Sequence, residues 1–200
     1  MVEALPEWLT MVLGGLICLA MPFFLFWMLW ELWRTARGIA KGLAGGPGGA
    51  CQELGLTVTT QGALSGLAEG LFEGRAVRVS WVVGYQHGYD PRYQVTRVAA
   101  AVTPPLGVGL EATEGGAAKD GIGWPEFEEH MAVSATDAAG ARAALGRAGA
   151  ALWSVLGGPG EVVVDDTAVT VVLPGVGADR AELEAALRRA TTAALALSTG

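Results

Sequence analysis

The sequence predicts an α+β fold in which one N-terminal transmembrane helix precedes an antiparallel sheet domain covered by two C-terminal helices. Three observations predict it: an uncharged run of 23 residues from Trp8 to Trp30, period-two alternation through the middle of the chain, and two C-terminal stretches whose alanines and leucines recur at helical spacing. The 200 residues therefore divide into a transmembrane helix with a juxtamembrane extension (1–44), a Gly-rich linker (45–50) and one α+β globular domain (51–200).

The uncharged run is rich in Leu, Phe, Met and Trp. As a helix it reaches about 35 Å at roughly 1.5 Å per residue, enough to cross a hydrocarbon core with some tilt. Backbone amides in that core must be satisfied internally, which favours helix, and membrane helices tolerate a mid-span proline such as Pro22. Trp8 at one end and Trp27, Trp30 and Trp33 at the other stand where interfacial indoles are expected, so the bilayer contact is assigned to residues 8–33. A cleavable signal peptide would carry a basic n-region, whereas this flank carries Glu3 and Glu7. Arg34, Arg37 and Lys41 form the basic cluster beside the run and are retained on the cytoplasmic side. The expectation is a single-pass protein of the inner (cytoplasmic) membrane, N-terminus outside and C-terminal domain cytoplasmic. Gly14, Gly15 and Cys18 give the helix a small-residue face of the kind that supports a homo-oligomer, although no strict small-residue repeat is sustained.

Helix is expected to continue to about Leu43 and to break at Gly45, Gly46, Pro47, Gly48 and Gly49, a flexible linker. Beyond it, Val77, Val79, Trp81 and Val83 alternate with Arg78 and Ser80, the period of a half-buried strand over Arg75 to Val83, with Leu71 and Phe72 leading into it across a Glu73-Gly74 turn. Arg92 to Val102 is a second strand, in which a parity change near Thr96 and Arg97 predicts a bulge. Val108 to Ala112 is assigned to an edge strand, Glu111 to Gly123 to a surface loop and Phe127 to Ala135 to a further strand. Thr136-Asp137 supplies the N-cap of a helix from about Ala138 that is ended by Gly157-Gly158-Pro159, and Asp179 caps a final helix. Between these helices, Val162 to Val164 and Ala168 to Leu173 flank Asp165-Asp166-Thr167, a tight hairpin.

Charge and cysteine usage exclude several classes. From residue 51 onward there are 10 Lys plus Arg against 17 Asp plus Glu, so the domain carries the whole net charge of -7. That balance opposes nucleic-acid binding. Cys18 and Cys51 make no disulfide framework. The Gly-rich stretch lacks the Gly-Lys-Ser/Thr ending of a phosphate loop, and no serine stands in a Gly-x-Ser-x-Gly elbow. No cofactor and no metal are expected.

Two clusters are the candidates for chemistry. The first is Tyr85-Gln86-His87-Gly88-Tyr89-Asp90, where His87 beside Asp90 could act as acid, base or ligand, although the same residues suit a hairpin turn. The pair lacks the third ligand of a zinc site and the nucleophile of an acyl transferase. The second is Glu126, Glu128, Glu129 and His130, which alternation would send to opposite faces of a solvated strand. Cys51 adds a thiol in reach of lipidation or oxidation, with nothing in the sequence to lower its pKa.

Trp124-Pro-Glu-Phe127, Met131 to Asp137, the helix through Leu145 and Leu152, the Val162 to Val171 hairpin and the closing Leu183-Leu187 helix together resemble uncharacterised bacterial membrane-anchored proteins with a cytosolic α+β domain. The resemblance covers about the last 80 residues, implies the same fold class, and transfers no activity. Function is thus expected to be a non-enzymatic, membrane-tethered interaction or scaffold module with an unidentified protein partner. The alternative is a membrane-anchored enzyme working from the His87/Asp90 loop.

Overall fold

A computed structural model of the chain describes residues 21–33, 46–62, 65–83, 94–115, 121–176 and 178–199. It divides into two compact units, Met1–Ala40 and Lys41–Gly200. In the first, residues 21–33 are helical (α1) and expose nearly every large apolar side chain, Phe23 being 77 % and Phe26 69 % accessible. Among the described residues no helix is long and apolar enough to cross a membrane. Residues 1–20, where the expected span begins, and residues 34–45 lie outside the described residues, as do Gly14, Gly15 and Cys18.

The second unit is α+β, as the sequence predicts. Eight antiparallel strands form one sheet in the order β1-β2-β3-β4-β8-β7-β5-β6. They are β1 Thr57–Gln61, β2 Ser65–Phe72, β3 Arg75–Val83, β4 Gln94–Ala101, β5 Glu111–Glu114, β6 Met131–Ser134, β7 Glu161–Asp165 and β8 Ala168–Pro174. The β2–β3 hairpin turns on Glu73 at φ 50° and Gly74 at φ 78°, the pair of positive angles that a two-residue turn matched to strand twist requires. Arg188 donates to the Glu73 carboxylate at 2.9 Å and holds that corner.

Helices α2 Gly46–Glu53, α4 Ala138–Leu156 and α5 Arg180–Ser198 lie on one face of the sheet, with the short α3 Pro125–Glu128 before β6. Period-two alternation gives each strand an inward row, for example Val79, Val98, Val171 and Val162. Leu183, Leu187 and Leu197 of α5 and Leu145 and Leu152 of α4 close over it. Each such leucine contributes about 1.5–3 kcal/mol by leaving water. Asp137 caps α4 by accepting from Gly140 N–H, and Asp179 with Glu182 forms a reciprocal capping box on α5. The last turn of α5 is tied to the sheet through Ser198, whose hydroxyl receives Arg75 Nη1 at 2.8 Å and Thr103 N–H at 3.0 Å.

Four expectations are corrected. The Gly-rich residues 46–50 open helix α2 rather than forming a flexible linker, and Pro47, Gly48 and Cys51 of that helix are buried. No bulge interrupts β4, whose register with β3 runs unshifted from Val77↔Ala100 to Val83↔Gln94. Its parity break is a buried threonine, Thr96, donating to Gly175 C=O at 3.0 Å, and the register shift falls instead in β1 between Val58 and Thr60. Residues 111–114 are an interior strand between β7 and β6, not an edge or a loop. Finally, Pro125 at the first helical position starts a helical turn where alternation suggested strand, so β6 begins only at Met131.

Candidate functional site

His87 and Asp90 lie outside the described residues. The second cluster is described, and its members diverge. Glu126, Glu129 and His130 are exposed, and the His130 ring stands edge-on to Trp153 at 5.4 Å. Glu128 turns back on its own loop and accepts from Ile122 N–H at 2.6 Å and Trp124 N–H at 3.1 Å. These backbone donors, Trp124 first, hold its carboxyl below the ordinary value near 4.5, and Arg142 adds attraction. Arg142 completes the clamp by donating to the carbonyl oxygens of Ile122 and Gly123. Trp124 stacks on Phe127, which meets Trp153 edge to face. Glu128 thus positions a loop, and among the described residues no group of three His, Cys, Asp or Glu could hold a metal ion.

Other charged side chains also close backbone rather than face a substrate. The Asp166 carboxylate accepts from the N–H groups of Val108, Gly109 and Leu110, at 3.3, 2.8 and 2.9 Å. Asp165 holds the β7–β8 turn by accepting from Thr167 and Ala168 N–H. Arg189 donates to Pro159 C=O at 2.6 Å and to Val155 C=O, so it satisfies the C-terminal end of α4, and its burial pulls its pKa down. The Cys51 thiol is fully buried and pushed up to about 11 by desolvation, which removes it as a redox or lipidation site.

What remains is a surface. Helices α2, α4 and α5 and the short turn α3 leave the second face of the sheet bare of any described helix. Its central residues are small and half-buried: Ala99, Thr170, Val163, Thr113 and Ala132 lie in one row across β4, β8, β7, β5 and β6. The next row reads Arg97, Val172, Glu161, with Val172 paired to both neighbours. Toward β2 the exposed Glu69–Arg78 ion pair, at 2.7 Å, and Leu71, 70 % accessible, complete the face. A shallow groove of about 420 Å³ runs over it between Glu69, Arg78, Ala101 and Ala168. A solvated sheet face is ordinarily studded with long polar side chains, and one carpeted with Ala, Val and Thr is suited to flat protein contact.

Period-two parity marks this outward row in the sequence, but without strand order the row could not be assembled. The described domain is thus a helix layer on an eight-stranded antiparallel sheet with its other face open. No family model, no curated protein and no solved structure matches the chain.

Proposed function

We propose that the chain is a single-pass membrane-tethered protein whose α+β domain is non-enzymatic and binds another protein at the cytoplasmic face of the inner membrane. The observation that carries the tether is α1: Met21, Phe23, Phe24, Phe26, Trp27 and Trp30 are all exposed on one short helix, an arrangement that water disfavours and lipid accommodates. The uncharged sequence from Trp8 onward supports extending that helix toward the N-terminus, and Arg34, Arg37 and Lys41 support the orientation. Two features support the binding role: Asp166, Glu128 and Arg189 are engaged with backbone, and one face of the sheet is bare of any described helix.

Membrane vesicles washed with alkaline carbonate test the tether, and the intact chain is expected in the pellet. In spheroplasts, external protease is expected to leave the domain uncut. Release by carbonate or external digestion of the domain overturns the reading.

A further inference from the structure

We infer that the open sheet face packs against the same face of a second copy of this chain, with the two-fold axis running along β8. This rests on the reading of that face as a docking surface and names its occupant. The face is electrostatically self-complementary about β8. On one side, at the same level of the sheet, stands Arg97 of β4; on the other stands Glu161 of β7, with Val172 of β8 between them. Arg97 and Glu161 are both exposed and, among the described residues, neither has an ion-pair partner. They are two strands apart, about 10 Å, too far for an ordinary contact within one sheet.

A rotation of 180° about β8 brings two sheets face to face and exchanges their left and right sides. Arg97 of each copy then lies over Glu161 of the other, and Val172 lies over Val172. In the adjoining row Thr170 meets Thr170, and Ala99 meets Val163, so small residues meet small residues across the contact. Such a contact is isologous and closed, as two-fold assemblies require. Paired sheets sit about 10 Å apart, a spacing that Ala, Val and Thr side chains fill. The seven strands from β2 to β6 span about 29 Å, and three rows of residues about 20 Å, so each copy offers on the order of 600 Å² before side-chain relief, near the lower end of a specific interface. The net charge of -7 repels the two copies at long range, but at physiological salt that repulsion is screened beyond about 8 Å, while the Arg97–Glu161 contacts lie within it.

The test uses full-length chain in native membranes with Cys18 replaced by serine, and Val172→Cys as a reporter on the axis. A short bismaleimide with a reach of about 8–10 Å, matched to sheets about 10 Å apart and beyond the reach of a direct disulfide, is expected to link Val172→Cys chains into dimers. Adding Arg97→Glu is expected to lower the yield about tenfold, and adding Glu161→Arg to that variant to restore it. Leu71→Cys, more exposed but far from the axis strand, is expected to link poorly. The inference is overturned if Val172→Cys chains stay monomeric, if the charge reversals leave the yield unchanged, or if Leu71→Cys links equally well. Should the chain be monomeric while Arg97→Glu abolishes its recovery with a different membrane protein, self-association fails and the docking-face reading stands.

Discussion

Trp81 and Gly66 stand opposite one another in the β2–β3 register, and the indole lies over the glycine so closely that a β-carbon there would come within 2.0 Å of Cζ2. The same ring touches Gly48 of α2, so one side chain joins the helix to two strands. Gly66→Ala is expected to destabilise the domain by about 1–3 kcal/mol, because a filled core has no room for a methyl group. Thermal unfolding followed by circular dichroism should show a fall of about 2–4 °C for each kcal/mol. Combining it with Trp81→Leu should recover part of the loss relative to the sum of the single effects, and strict additivity would argue against the contact.

Asp166 holds three successive donors, Val108, Gly109 and Leu110, and so brings the chain that follows Pro105 onto the β7–β8 turn. Asp166→Ala is expected to cost about 2–3 kcal/mol, since the freed N–H groups are only partly reached by water. Urea midpoints measure this, and a loss under 0.5 kcal/mol (roughly the scatter of a neutral surface change) would remove the assigned role.

The Glu128 clamp predicts a pH response. Its folded pKa lies below the ordinary value near 4.5, so its contribution is complete above that value and disappears as pH falls through the lower folded one. Protection factors at Ile122 and Trp124, corrected for the intrinsic pH dependence of amide exchange, should therefore fall under acid while those of β3 and β8 hold. Glu128→Gln should show fast exchange there already at pH 7.

Cys51 is fully buried, with its thiol raised to about 11. Iodoacetamide at pH 8 is expected to leave the Cys51 peptide unmodified in the folded chain and to alkylate it fully in denaturant, as mass spectrometry of the digest would reveal. Rapid labelling without denaturant contradicts the burial.

The binding-module reading extends to His87 and Asp90. His87→Ala and Asp90→Ala should leave Val172→Cys cross-linking and membrane retention unchanged. Loss of a cellular phenotype with the fold intact would turn the assignment toward catalysis by those residues.

Elements whose periodicity is undisturbed were legible from residues alone. Arg75–Val83 alternates cleanly, the Val-rich arms around Asp165-Asp166-Thr167 form the expected hairpin, and Asp137 and Asp179 cap the helices they precede. Local pattern failed where a distant partner decides. Helix α2 forms despite Gly48 and Gly49, with Pro47, Gly48 and Cys51 buried, and packs on β1, β2 and the distant α5. Thr96 passes for a bulge until Gly175 supplies its acceptor. Glu128 reads as strand polarity until the loop from Ile122 is seen to fold over it. The open face was invisible for a related reason: Arg97 and Glu161 are neighbours only through Val172, which no local window contains.

Strand β8 enters the sheet between β4 and β7 although it is made last, and this sets an order of events on the ribosome. The β1–β4 meander emerges with the free edge of β4 unpaired, and its partner follows only after the stretch from Ala101 to Ala168 has been translated. At about 5–20 residues per second that delay is on the order of 3–13 s. A nascent chain is therefore exposed to edge-to-edge pairing with its neighbours on a polysome, and early chaperone cover of β4 would raise the yield of the finished domain.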